Sequence, residues 1–157
     1  MVNIAQMRIA RPPDQLYALG LGSCIGVVLY DPQRKIAGML HVLLPASEDA
    51  LPAGQEHRTK FADPGLLDLR EAVIRNGALP GNLRAKMAGG AEVLAVSNGT
   101  EDSIGRRNAV ECLRMLDRMK IPIDGKDLGG KVGRSIRFDP ENNVLHVKKI
   151  IGDETKL

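Results

Sequence analysis

The sequence predicts one layered α/β domain, a sandwich of mixed β-sheet with two main helices. Three observations carry that prediction. Apolar, β-rich runs at residues 24–30 and 36–44 flank the turn residues Asp31, Pro32, Gln33 and Arg34. Two later segments, near 63–75 and 105–119, repeat their apolar residues at helical spacing. A last pair of strand-like runs, 135–139 and 144–150, flanks Pro140, Glu141, Asn142 and Asn143. Strands and helices in this mixture bury their apolar faces against one another in layers.

Taken in order, the domain spans 1–157, with 1–14 expected to be a less ordered or peripheral segment. It ends in the loop signal Arg11, Pro12, Pro13, Asp14. Residues 16–21 read as a short apolar strand. The runs 24–30 and 36–44 read as a hairpin buried on both faces, closed by Pro45. Residues 46–59 are polar and read as a long surface loop. Asp63 predicts a helix cap with Pro64 at the first position. Leu66, Leu67, Leu69, Val73 and Ile74 supply the buried face, and Asn76 and Gly77 the stop. Residues 83–88 form a short strand ending in Gly89 and Gly90. The second helix carries a stripe of Val110, Leu113, Leu116 and Met119. A strand near 121–123 and the last hairpin complete the chain.

Composition narrows the function. The chain has 157 residues, enough to bury ~two-thirds of its unfolded surface. Aromatics are 3% with no Trp, so Leu, Ile, Val, Met and Ala must build the core. Net charge is +3, and the basic residues are scattered apart from pairs such as Arg106-Arg107 and Lys148-Lys149. So few aromatics give no base-stacking platform, which argues against nucleic acid as a partner. Neither a signal peptide nor a membrane-spanning run is legible, so a cytoplasmic protein without membrane insertion is expected. There Cys24 and Cys112 are free thiols. Asn98, Gly99 and Thr100 read as a turn rather than a glycosylation site.

The chemistry centres on the first hairpin. With Pro32 and Gln33 at its tip, opposed residues sum to 65, which sets Cys24 directly across from His41. Opposed Cβ atoms lie ~4.5–5.5 Å apart, suited to a thiol and an imidazole. The imidazole can take the thiol proton, and the thiolate can then attack a carbonyl. Backbone N–H groups of the turn Gly20, Leu21, Gly22, Ser23 are candidates to stabilise the oxyanion. A cysteine in an apolar strand also reads as a small hydrophobe, and a single histidine as structural.

Residues 19–32, containing Gly22-Ser23-Cys24, resemble the signature of the CheD family. So does Gly38-Met39-Leu40-His41-Val42-Leu43-Leu44-Pro45, at the family's spacing. Similarity continues through 60–63, 86–91, 104–108, 127–130 and 133–135. The resemblance implies a protein-glutamine deamidase of methyl-accepting chemotaxis receptors, releasing ammonia through a cysteine thioester. It implies Cys24 as nucleophile, His41 as base and no cofactor. The implied partners are the receptor cytoplasmic domain and, where present, the phosphatase CheC. The implied fold is an α/β sandwich related to toxin-type cysteine deamidases. One departure stands out: the family's catalytic threonine aligns with Ala18, which has no hydroxyl to orient an imidazole. That departure favours an alternative, a weakly active binding module docking on CheC or receptors. A Cys–His pair also suits another thiol hydrolase.

The remaining candidates read first as structure. His57 belongs to a polar loop and His146 to the last hairpin. The three histidines have no zinc spacing. Cys112 packs on the second helix. Gly89-Gly90 is a tight turn near the site, without the rest of a phosphate loop. Arg106-Arg107 open a helix where the dipole disfavours cations, which leaves a contact role open. Val93 and Leu94 read as core or as a partner patch.

Overall fold

A computed structural model describes residues 1–47, 57–92 and 103–157. Its strands are β1 (Met7–Ala10), β2 (Leu16–Leu21), β3 (Ile25–Asp31), β4 (Ile36–Val42), β5 (Arg84–Gly89), β6 (Ile123–Leu128), β7 (Arg134–Asp139), β8 (Val144–Lys149) and β9 (Glu154–Lys156). Its α-helices are α1 (Ala62–Arg75) and α2 (Ile104–Arg118). The strands form two sheets, a five-stranded one in the order β1-β4-β3-β5-β6 and a four-stranded one in the order β2-β7-β8-β9. Only β5 and β6 pair in parallel; the other pairs are antiparallel. The mixed α/β architecture read from the sequence is therefore present, as two sheets and two helices among the described residues.

Period-two alternation divides β3 and β4 between two cores. Ile25, Val27, Leu29, Leu40 and Val42 pack with Leu66, Leu69 and Val73 of α1 and Cys112, Met115 and Leu116 of α2. Val28, Tyr30, Ala37 and Met39 face the second sheet, against Leu16, Ala18, Leu21, Ile136, Phe138, Leu145 and Val147. The layers are thus helices, five-stranded sheet, four-stranded sheet. Every residue of β3 and β4 is buried, as expected for strands covered on both faces. In β7 and β8 buried residues alternate with partly exposed ones, so that sheet has one covered face.

The last hairpin pairs Asp139 with Val144, the register expected from its turn residues. The first hairpin differs. Asp31 pairs with Ile36, so the loop has four residues, Pro32 to Lys35, and opposed residues sum to 67. Asp31 accepts hydrogen bonds from the N–H groups of Gln33 and Arg34, and Lys35 adopts a left-handed φ of 51°. This Asx-type turn outcompetes the two-residue turn. Gly26, not Cys24, faces His41.

Other expectations need correction. Residues 1–14 are not a peripheral appendage: β1 pairs with β4, Val2 is buried, and the Val2 N–H donates to Tyr17 O. Asp63 does not cap α1; Phe61 holds that position, and the Asp63 carboxylate accepts from the Ser47 N–H and hydroxyl. Leu67 lies on the exposed side of α1. Val110 is 56% exposed, and the buried face of α2 is Gly105, Asn108, Ala109, Cys112, Met115 and Leu116. Small residues let α2 approach the sheet there: a Cβ on Gly105 would sit 2.5 Å from Gly90 O. The strand expected at 121–123 starts at Ile123 instead. Most of the loop expected at 46–59, residues 48–56, lies outside the described residues, as do Val93, Leu94, Asn98, Gly99 and Thr100.

Candidate active site

Cys24 immediately precedes β3, and three contacts fix the chain around it. Gly22 O accepts the Ala91 N–H at 2.8 Å. Ser23 O accepts the Asn108 side-chain amide at 2.9 Å. Cys24 O accepts the Gly90 N–H at 2.8 Å. Gly89 beside it has a φ of 127°, and a Cβ there would lie 2.1 Å from Cys24 O, so only glycine fits. Gly89-Gly90 thus lies against the Cys24 main chain, with Gly89 as the last residue of β5 rather than part of a separate tight turn. The Cys24 side chain joins the inter-sheet core and is 8% exposed.

Gly22 and Ser23 shape this turn through their carbonyls. The left-handed glycine is Gly20, at φ 66°, rather than Gly22. In a trans peptide the carbonyl and the next N–H point in opposite directions. Ser23 O aimed at α2 therefore turns the Cys24 N–H away from α2. That N–H acts on its own sulfur, favouring the thiolate.

His41 keeps the same face as Cys24 despite the register difference. The shift is two residues, and side chains alternate with period two. Cys24 and His41 become diagonal neighbours, with Cα atoms ~7–8 Å apart and Cβ atoms closer, within reach of an aromatic ring. Gly26, directly opposite His41, places no side chain between them.

Two main-chain contacts hold His41 in place: its N–H donates to Gln6 O and its carbonyl accepts from the Ala5 N–H. Its Nδ1 lies 3.3 Å from Val2 O. A carbonyl only accepts, so the neutral ring carries its proton on Nδ1. Nε2 then bears the lone pair; it is buried without a protein partner among the described residues. A buried nitrogen kept unpaired is suited to receive a proton. The orienting group is thus a main-chain carbonyl from the N-terminal segment. No side-chain pattern reveals such a group, and sequence reasoning missed it. Ala18 is buried in β2 opposite Ile136, so its missing hydroxyl leaves the Nδ1 contact intact.

Burial pushes the Cys24 thiol up, partly offset by its own N–H. Burial likewise pushes His41 down, partly offset by the Val2 carbonyl. Both shifts favour the neutral pair over a resting thiolate–imidazolium pair. A neutral imidazole placed beside a neutral thiol can serve as a general base, taking the thiol proton as the sulfur attacks a carbonyl.

An open cleft of about 400 Å³ leads to His41, lined also by Met1, Val2, Asn3, Ile4 and Leu19. Met1, Ile4 and Leu19 are exposed apolar side chains on its rim. Asn108 was absent from the sequence candidates. The signal for it was a polar residue among the small residues of one helical face, Gly105, Ala109 and Cys112. His57 is exposed. His146 pairs with Glu154 at 2.7 Å. Cys112 is buried, with its thiol pushed up by desolvation and by Glu111. Arg106 and Arg107 lie in the first turn of α2. Among the described residues no three His, Cys, Asp or Glu side chains form a metal-binding group. No described helix is long and apolar enough to cross a membrane.

Residues 43–149 match the family model for CheD chemotactic sensory transduction. The chain is 40% identical over 157 residues to the probable chemoreceptor glutamine deamidase CheD of Lachnoclostridium phytofermentans, covering 99% of this chain and 96% of that protein. It is 40% identical over 158 residues to the chemoreceptor glutamine deamidase CheD of Halalkalibacterium halodurans, covering 99% and 96%. With the Bacillus subtilis protein of the same name the identity is 39% over 151 residues, covering 95% and 90%. A family model across most of the chain, together with relatives of this identity along almost its entire length, establishes that the chain belongs to the CheD family.

Proposed function

We propose that this protein deamidates selected glutamine side chains of methyl-accepting chemotaxis receptors, with Cys24 as nucleophile and His41 as base. The observation that carries the reading is the unpaired, buried Nε2 of His41 on the same sheet face as Cys24. His41 Nε2 takes the thiol proton as Sγ attacks the glutamine side-chain carbonyl. The resulting oxyanion is stabilised by the Cys24 N–H. Collapse breaks the C–N bond; His41 returns the proton and ammonia leaves. The thioester is then hydrolysed by a water that His41 deprotonates, releasing glutamate and the thiol. No cofactor enters these steps. Gly22 and Ser23 support the site by setting the turn.

The exposed apolar rim of Met1, Ile4 and Leu19 suits the apolar flank of a receptor helix carrying the glutamine. The receptor cytoplasmic domain is the substrate, so we place the protein in the cytoplasm, with CheC as a further partner where it occurs. The two-sheet sandwich supports kinship with toxin-type cysteine deamidases. A second reading is favoured by Ala18: a feebly active module that works by docking.

The test is intact-mass spectrometry of a chemoreceptor cytoplasmic fragment incubated with the protein, beside Cys24→Ala and His41→Ala. Conversion of an amide to an acid adds about one dalton per glutamine, without chain cleavage. A gain lost in both variants supports the deamidase. Binding without any gain supports the docking module, and cleavage of the chain a different thiol hydrolase.

A further inference from the structure

Asn108 is wholly buried on the face of α2 that meets the sheet. Its Nδ2 donates to Ser23 O at 2.9 Å and to Leu43 O at 3.0 Å. Both partners are carbonyls, so the amide orientation is fixed by chemistry: only the NH₂ group can sit there. Oδ1 is left buried without a partner among the described residues. Leaving a buried acceptor unpaired is costly, and a residue selected for stability alone is more economically apolar. Ser23 immediately precedes the nucleophile, and Leu43 lies two residues beyond His41. One side chain therefore ties the strand that starts at Cys24 to the strand that carries His41.

We propose that Asn108 is a positioning residue for the deamidation: by holding Ser23 O it turns the Ser23–Cys24 peptide so that the Cys24 N–H faces the reacting sulfur. The proposal rests on the assignment of Cys24 as nucleophile. It adds a group on α2 that never touches the substrate. The geometry follows from peptide planarity. With Ser23 O drawn toward α2, the N–H of the same peptide points the opposite way. The N–H is then available first to the thiolate and next to the oxyanion. Leu43 O, held by the same amide, fixes the spacing between the two strands where Cys24 and His41 meet diagonally. Without the amide, Ser23 O and Leu43 O lose their shared partner while Gly22 O and Cys24 O keep theirs, and both relations loosen together.

The experiment is the rate of Cys24 alkylation by iodoacetamide across pH 6–10 in Asn108→Ala and Asn108→Ser. Cys112→Ala serves as the comparison, a buried change on the same helix face that spares both carbonyl contacts. Expected is an alkylation profile displaced to higher pH in the Asn108 variants and unmoved in Cys112→Ala. With receptor fragment, kcat falls at least ~10-fold at little-changed KM, the pattern for lost positioning in the transition state. Should both variants fail to fold, the wild-type protein decides the matter. Its Asn108 side-chain amide protons should exchange slowly, and their NMR shifts should track the Cys24 titration. Folded variants with an unmoved alkylation profile overturn the proposal, as does a wild-type amide blind to that titration. Alkylation needs no receptor, so absence of deamidation in the wild type refutes the functional assignment without touching this result.

Discussion

Gly26→Ala tests the packing that brings the site together. Gly26 stands opposite His41, two residues after Cys24, on the face that meets the second sheet. A Cβ added there would lie 2.3 Å from Ile136 Cδ1, 3.3 Å from Leu21 Cδ1 and 3.4 Å from Ile136 Cγ1. Carbon atoms pack best at ~3.5–4.0 Å, so the first contact is short by about 1 Å and the others are barely tight. Ile136 is itself buried between the sheets, so its methyl has little room to swing. Overpacking of this kind costs ~1–3 kcal/mol. Replacing a strand glycine gains back ~0.5–1 kcal/mol of chain entropy. The expected net loss is up to ~2.5 kcal/mol, read as a lower urea midpoint at constant slope. Ile136→Val removes Cδ1 and keeps Cγ1. Alone it should cost ~0.5–1.5 kcal/mol. In the Gly26→Ala background it should cost nothing or stabilise, giving a coupling of at least ~0.5 kcal/mol. An additive cycle refutes the assignment of Ile136 Cδ1 as the atom that demands glycine.

The opposed shifts of Cys24 and His41 predict a neutral pair at pH 7, so wild-type alkylation should climb about tenfold per pH unit toward the raised thiol range. A rate plateau near neutrality that disappears in His41→Ala would instead establish a resting ion pair. Ala18→Thr restores the hydroxyl usual in the family, at a fully buried position. Because Val2 O already engages Nδ1, turnover should change by less than about threefold, while overpacking lowers stability by ~1–3 kcal/mol. A tenfold gain in kcat would mean that the Val2 carbonyl does not orient the ring.

Much of the architecture was legible because it is set locally. The alternation in residues 135–149 and the turn at 140–143 specify a hairpin without reference to the rest of the chain. The burial of β3 and β4 on both faces follows from their unbroken apolar runs. The buried faces of the helices were less legible. Val110 and Leu67 match a helical stripe, yet both point to solvent. Periodicity reports that one face is apolar, but contacts with other elements choose among nearby faces. On α2 the choice fell to Gly105 and Asn108, through close approach to Gly90 and two hydrogen bonds to carbonyls.

The sequence by itself marked Cys24 and His41 as the candidate pair and set them on one face of the sheet. The register differs by two from the one the turn residues predict, and a shift of two leaves that face unaltered. Only the tertiary structure decided their diagonal relation, the tautomer of His41 and the direction of the Cys24 N–H. Those depend on main-chain atoms of Val2, Ser23 and Leu43 and on Asn108, which are far apart along the chain. Every residue has a carbonyl, so its chemical identity cannot mark the one that orients an imidazole. Its position in the folded chain does.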